Sequence, residues 1–205
     1  MSDMPPRDME MEKQVREAFA LVLDEQDHAG YHDVMQAKWL ETPVGAMLAV
    51  ADTKSLHLLS FLELSGMERR VALMQQRIGA CMEIGKNQPI ESISDEMADY
   101  FAGKLREFTT PTAMDGTVFQ IQVWEELRRV PYGHTISYAE LAEKIGKPSA
   151  FRAVAQANAQ NPLHILVPCH RIINTDGASG GNAAGTQRKK WLIEFEQSVL
   201  AKDGK

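Results

Sequence analysis

Cysteine is nearly missing from this sequence. Its 205 residues hold two, Cys81 and Cys169, neither in a close CxxC-type pair. Two distant thiols cannot build a disulfide framework or a zinc finger, and such usage suits a reducing compartment. Long apolar runs are missing too. No stretch approaches the roughly 18 residues of a membrane span, and the polar, acidic opening from Met1 to Glu12 has no signal region. These absences predict a soluble cytoplasmic protein. There is also no surplus of positive charge: 22 Lys/Arg against 28 Asp/Glu give a net of -6, which taken whole argues against nucleic acid. The balance is uneven, however. Residues 1–115 hold 11 Lys/Arg and 20 Asp/Glu, a net of -9, whereas residues 116–205 hold 11 and 8, a net of +3. The C-terminal part permits a phosphate-facing surface without demanding one. What is present is 44% hydrophobic residues, enough to fill the cores of one or two small domains.

Periodicity divides the chain. Val15, Phe19, Val22 and Leu23 predict an N-terminal helix over about 13–27. Three strand-like runs follow, Val34–Glu41, Gly45–Ala51 and Leu56–Leu62, broken by Thr42–Gly45 and Asp52–Lys54 as in an antiparallel meander. Met67–Met82 reads as a helix on the spacing of Val71, Met74, Ile78 and Met82. Ser92–Leu105 reads as another, with a start signal at Ser94. Residues 106–116 are the best linker, which puts domains at 1–109 and 110–205. Beyond it, Thr117–Arg129 is helical. Ser137 with Glu140 forms a capping-box pattern ahead of Tyr138–Ile145. A short turn at Gly146–Ser149 leads to a helix over Ala150–Ala159. Helix, turn with glycine, helix is the form of a helix-turn-helix, although many such hairpins bind no DNA. A glycine-rich loop at Gly177–Gly185 precedes a last helix, Gln187–Val199.

The run Asn161–Ile173 carries the chemistry. A cysteine in an apolar run is ordinarily a small buried hydrophobe. Here Pro168 precedes Cys169 and favours a turn or extended form. His170 and Arg171 follow it, an odd continuation for a core strand. A cationic or proton-accepting neighbour raises a thiol's thiolate fraction, and a thiol beside histidine is the pattern of an activated nucleophile. On these residues alone, a structural and a reactive Cys169 both stand.

Pro168-Cys169-His170-Arg171, flanked by Ile165-Leu166-Val167 and Ile172-Ile173, resembles the active-site signature of the O6-alkylguanine-DNA alkyltransferases. In order and with suitable spacing, Phe119–Trp124, Pro131–Tyr138, Leu141-Ala142, Ile145-Gly146, Arg152–Val154 and Asn161-Pro162 resemble the same family. The likeness covers about residues 110–198. Residues 33–109 share only the layout of the family's variable N-terminal domain.

The resemblance implies an α+β protein: a small antiparallel sheet with helices, ribonuclease-H-like, then a mostly helical, winged helix-turn-helix-like domain holding the site. It implies irreversible transfer of an alkyl group from O6-alkylguanine, with O4-alkylthymine a second candidate, onto Cys169. His170 becomes the base, acting through a water. Glu196, otherwise an ordinary helix glutamate, would polarise the imidazole. Asn161 would tie the turn near the cysteine. Tyr138 would help turn the target phosphate and protonate guanine N3. Arg152 would fill the gap left by the flipped base, since O6 inside a stacked pair cannot meet a buried thiol. Ala153 and Ala155 would allow close approach to the minor groove, and Arg171 would join the DNA-binding set. The substrate pocket would draw on Val167, Pro168, Ser179, Gly180, Asn182 and Ala183. The expected partner is double-stranded DNA bearing an alkylated guanine, bound by a monomer, with no cofactor. No metal is expected, because His28, His32 and Cys81 are too sparse for one.

One departure bears on the pocket. Asn182 stands where the family usually has a tyrosine, and a flat wall for the flipped base is lost. This keeps alive an alternative, a non-enzymatic damage binder. Such relatives usually replace the cysteine, and Cys169 is present. A transcriptional regulator would want more base-reading side chains on its second helix. A cysteine hydrolase would want an oxyanion hole and a separate histidine.

Overall fold

The computed structural model describes residues 9–24, 33–61, 67–174 and 183–203. Contacts sort most of the chain into two units, Arg7–Phe101 with Thr109–Ala113, and Ala102–Phe108 with Met114–Lys205.

The first unit runs α1 (Met9–Asp24), β1 (Asp33–Leu40), β2 (Met47–Ala51), β3 (Leu56–Phe61), α2 (Met67–Ile78), β4 (Ala80–Ile84) and α3 (Gln88–Phe101). The strand order is β3-β2-β1-β4. The first three strands pair antiparallel, as their alternation and short breaks predict, whereas β4 lies parallel to β1. Period-two alternation puts Met35, Ala37, Leu48, Val50, Leu58 and Met82 on one face. There they bury against Phe19 and Leu23 of α1 and Val71 of α2. The ring of Phe19 meets Trp39 edge-on at 5.2 Å, a favoured aromatic geometry.

Several boundaries differ from the sequence expectation. Helix α1 starts at Met9, not at 13. Helix α2 stops at Ile78, because Gly79 takes the left-handed conformation (φ 70°) that ends helices. The apolar residues expected to prolong it belong instead to β4. Cys81 is therefore a strand residue, buried, its thiol directed to the Asp33 carbonyl. Helix α3 starts at Gln88, where Asn87 Oδ1 accepts the Ile90 N–H at 3.2 Å, an N-cap. Ser94 bonds back to the Ile90 carbonyl within the helix.

The segment read as a linker is itself structured. Pro111 and Ala113 pair with Leu56 through backbone hydrogen bonds of 2.8 and 2.9 Å, which covers the first residue of the open edge of β3. The Glu96 carboxylate accepts the N–H and hydroxyl groups of Thr109 and Thr110.

The second unit runs α4 (Val118–Arg128), β5 (Ile136–Ser137), α5 (Tyr138–Lys144), a 3-10 turn (Pro148–Ala150), α6 (Phe151–Ala159), a second 3-10 turn (Cys169–Arg171), β6 (Ile172–Ile173) and α7 (Ala183–Asp203). Helices α5 and α6 form the helix-turn-helix, backed by α4. The buried Trp124 indole donates to the Ala157 carbonyl at 2.9 Å and locks α4 to α6. The sequence left β5 and β6 unassigned. They are two residues each and pair parallel, Ile136 with Ile172 and Ser137 with Ile173. That pairing carries the start of α5 to the segment just after Cys169. Among the described residues no helix is long and apolar enough to cross a membrane.

The capping box expected at Ser137 is present: its hydroxyl accepts the Glu140 N–H at 3.1 Å, and Glu140 accepts the Ser137 N–H at 2.6 Å. Ser137→Ala should lower unfolding stability by about 1 kcal/mol. Urea titration reads this, and an unchanged midpoint would mean that the cap does not hold α5.

Candidate active site

Cys169 is placed by a chain of local constraints. Pro168 sits at φ -79°, ψ 66°, and the Cys169 N–H reaches back to the Val167 carbonyl at 2.7 Å. These are the marks of an inverse γ-turn, and proline fixes the φ that it needs. Just upstream, Ile165 takes φ 74°, a costly conformation for a β-branched residue. Asn161 stabilises that path. Fully buried, its amide donates to the Val167 carbonyl at 2.8 Å and its oxygen accepts the Leu163 N–H at 3.0 Å. Asn161→Ala leaves buried backbone groups unanswered and should cost about 1–3 kcal/mol. A thermal melt unmoved by the change would contradict this reading of the turn.

The turn ends in the 3-10 segment, which points His170 and Arg171 inward. His170 is 3% exposed, and its Nε2 lies 2.8 Å from Glu196 Oε1. A carboxylate only accepts, so Nε2 carries the hydrogen and Nδ1 keeps its lone pair. Among the described residues Nδ1 is buried and makes no hydrogen bond. Burial lowers the pKa of His170, outweighing the pull of Glu196, so the ring is neutral near pH 7 and its Nδ1 lone pair is open to a proton.

Arg171 corrects an expectation. Placed by resemblance among the DNA-binding residues, it is buried instead. Its guanidinium grips Glu196 through Nε and Nη2, each at 2.9 Å, and donates from Nη1 to the Val130 carbonyl at 2.6 Å. A planar guanidinium suits such a two-point grip on a carboxylate. A fourth donor to Glu196 is the Gly133 N–H at 2.9 Å. Glycine is favoured there, since φ is 74° and an added Cβ would come within 2.4 Å of the Leu200 side chain on α7. Burial alone would raise the Glu196 carboxyl. His170 and Arg171 prevail and hold it well below the usual carboxylate range.

Two side chains complete the surroundings of the sulfur. Tyr138, at the start of α5, has its pKa raised by burial and by Cys169, so it keeps its proton. The Asn158 amide stands 3.4 Å from its hydroxyl. Lys189 of α7 is 8% exposed, with burial lowering its pKa and Cys169 opposing that shift. Its ammonium lies 5.7 Å from the centre of the Tyr138 ring. No sequence signal points to Lys189, because a lysine on an α-helix is ordinarily solvated and only packing marks it out.

The other candidates divide. Arg152 and Ala153 are exposed on α6 and Ala155 is half-buried. Val167 and Pro168 are buried. Ser179, Gly180 and Asn182 lie outside the described residues, and Ala183 opens α7. Among the described residues no three His, Cys, Asp or Glu side chains group so as to hold a metal ion.

Residues 118–198 match the model of the 6-O-methylguanine DNA methyltransferase DNA binding domain. A methylated-DNA–protein-cysteine methyltransferase of Shigella flexneri is 41% identical over 165 residues, 78% of this chain and 95% of the relative. One from Methanosarcina barkeri is 36% identical over 171 residues, 83% and 99% of the two chains. Among solved structures, the O6-methylguanine methyltransferase of Mycobacterium tuberculosis superposes with a TM-score of 0.71 at 35% identity, over 80% of this chain and 94% of that one. The same protein in complex with DNA gives 0.67, over 81% and 94%. Near-complete coverage of relatives above 30% identity leaves one assignment: the chain belongs to the methylated-DNA–protein-cysteine methyltransferase family.

Proposed function

We propose that this protein repairs DNA by direct reversal, moving a methyl or larger alkyl group from guanine O6 in duplex DNA onto Cys169 in a single irreversible turnover. The observation that carries this is the buried relay beside the sulfur, in which Glu196 fixes the tautomer of His170 and leaves Nδ1 as the base. An alkyl ether is a poor electrophile, so the attacker must be a thiolate. The thiol proton passes, through a water, to His170 Nδ1. The imidazolium so formed is stabilised by Glu196, in the manner of other nucleophile-base-acid relays. Sulfur then displaces the alkyl carbon in line. The carbon–oxygen bond breaks, its electron pair passes into the purine, and Tyr138 delivers a proton to guanine N3. The products are guanine and a thioether, and the thioether has no leaving group through which to return.

The base must leave the stack first. In this proposal a monomer lies along the minor groove and Arg152 fills the vacated space, with Ala153 and Ala155 allowing the approach. Val167 and Pro168 line the pocket with Ser179, Gly180, Asn182 and Ala183. The reaction takes place in the cytoplasm, at the nucleoid, without a cofactor. The test is single-turnover transfer from a duplex holding one O6-methylguanine, followed by intact mass. The expected result is a gain of one methyl group that saturates at one per chain. Tight duplex binding with no gain would make the protein a damage binder instead.

A further inference from the structure

Helix α6 opens with a large apolar side chain on its surface: Phe151 is 45% exposed. A single exposed aromatic is unremarkable by itself. Two neighbouring facts set this one apart. The guanidinium of Arg152, the next residue, lies 5.7 Å from the centre of the Phe151 ring. And between Glu143 and Asp176 this otherwise acidic chain contains no Asp or Glu, while Lys144, Lys147, Arg152 and Arg171 fall within that stretch. Of these, Arg171 is neutralised inside the site, and Lys144, Lys147 and Arg152 are exposed. The outward face of α6 is completed by exposed Ala153, Gln156, Ala159 and Gln160. A helix face without acidic side chains, led by an aromatic and a cation, suits a surface that is anionic at its edges and flat and apolar within. A nucleic-acid groove with a base step opened has that chemistry.

We propose that Phe151 is a second wedge in base extrusion. Its ring stacks on the base pair next to the opened one while Arg152 occupies the gap. This rests on the DNA-repair reading above. The ring offers a π-face that every base accepts. Its proximity to the guanidinium orders the arginine before DNA arrives, by a cation–π contact, so the two act as one unit. Phe151 is a positioning residue, since it touches neither the reacting carbon nor the sulfur.

The test separates extrusion from chemistry by using two alkyl donors, O6-methylguanine in a duplex and the free base O6-benzylguanine, which needs no flipping. For Phe151→Ala, transfer from the duplex should slow by about tenfold, the scale of one lost base-stacking contact, with transfer from the free base unchanged. Phe151→Trp should restore the duplex rate and Phe151→Leu should not, because flatness and not apolarity is required. Equal slowing with both donors, or an unchanged duplex rate, would overturn the proposal. So would rescue by leucine. Wild-type protein inert toward both donors would instead overturn the underlying repair reading. Thermal melts of the three variants should match the wild type, as expected for a half-exposed side chain.

Discussion

Cys169→Ala should abolish alkyl transfer outright while leaving duplex binding and the fold in place. The substitution removes one half-buried sulfur, and neither Asn161 nor the inverse γ-turn at Pro168 depends on it. Stability should therefore shift by about 1 kcal/mol at most. No other group can stand in. Cys81, the second thiol, is buried on β4 in the other unit, with its hydrogen directed to a backbone carbonyl. Intact-mass analysis after exposure to an O6-methylguanine duplex decides this: a methyl gain in Cys169→Ala would place the nucleophile elsewhere. Peptide mapping of the wild type should find the methyl group on Cys169 alone.

Glu196→Ala should damage stability and rate together, by separable routes. The carboxylate is fully buried and answers four donors from His170, Arg171 and Gly133. Removing it leaves the Arg171 guanidinium charged and buried without its counter-ion, a loss of about 3–5 kcal/mol. Glu196→Gln keeps the shape, loses the charge, and should fold better. Its transfer rate should still drop by about 100-fold or more, the lower range for a positioned general base. Urea unfolding and single-turnover kinetics read the two effects. A stability loss below about 1 kcal/mol for the alanine variant would contradict the buried network.

The same network fixes the direction of pH dependence. Folded Glu196 has a pKa below its ordinary 4.5, so its contribution is full above that value and fades as the pH falls toward the folded pKa. Folded His170 also has a lowered pKa. From its ordinary 6.5 downward, the unfolded chain binds a proton that the buried ring refuses, and stability falls there too. Both groups therefore push stability down with acidification, and Glu196→Gln should remove the steeper, more acidic part of that decline. A melt series from about pH 2 to 8 shows it.

Much of the site was legible because its signal is local. The Pro168–Arg171 run and the capping box at Ser137 are short, contiguous patterns whose physics lies within a few residues. The partners of Glu196 were only half legible. Its link to His170 followed from resemblance, but the grip of Arg171 and the N–H of Gly133 depend on side chains from three separate segments meeting. Arg171 was misplaced for that reason: an arginine next to a DNA-facing signature reads as a phosphate contact until its burial is known. In the fold, β4 was hidden inside a helical repeat, because Ile78 and Met82 fit a spacing of four equally well on one helix or across the break at Gly79. Helix α3 was placed late because Ser94 imitates a cap that Asn87 supplies. Strands of two residues, such as β5 and β6, leave no periodic trace at all.

The route of the chain between its two units has a practical outcome. Residues Ala102–Phe108 pack with the C-terminal unit, yet Thr109–Ala113, which follow them, return to the N-terminal sheet. The chain thus crosses between the two units more than once along this stretch. A cut before Ala102 takes from the sheet the segment that covers the first residue of its β3 edge, and a cut after Ala113 takes Ala102–Phe108 from the C-terminal half. No single cleavage yields both halves whole, so a fragment designed for separate study must choose which half to leave incomplete.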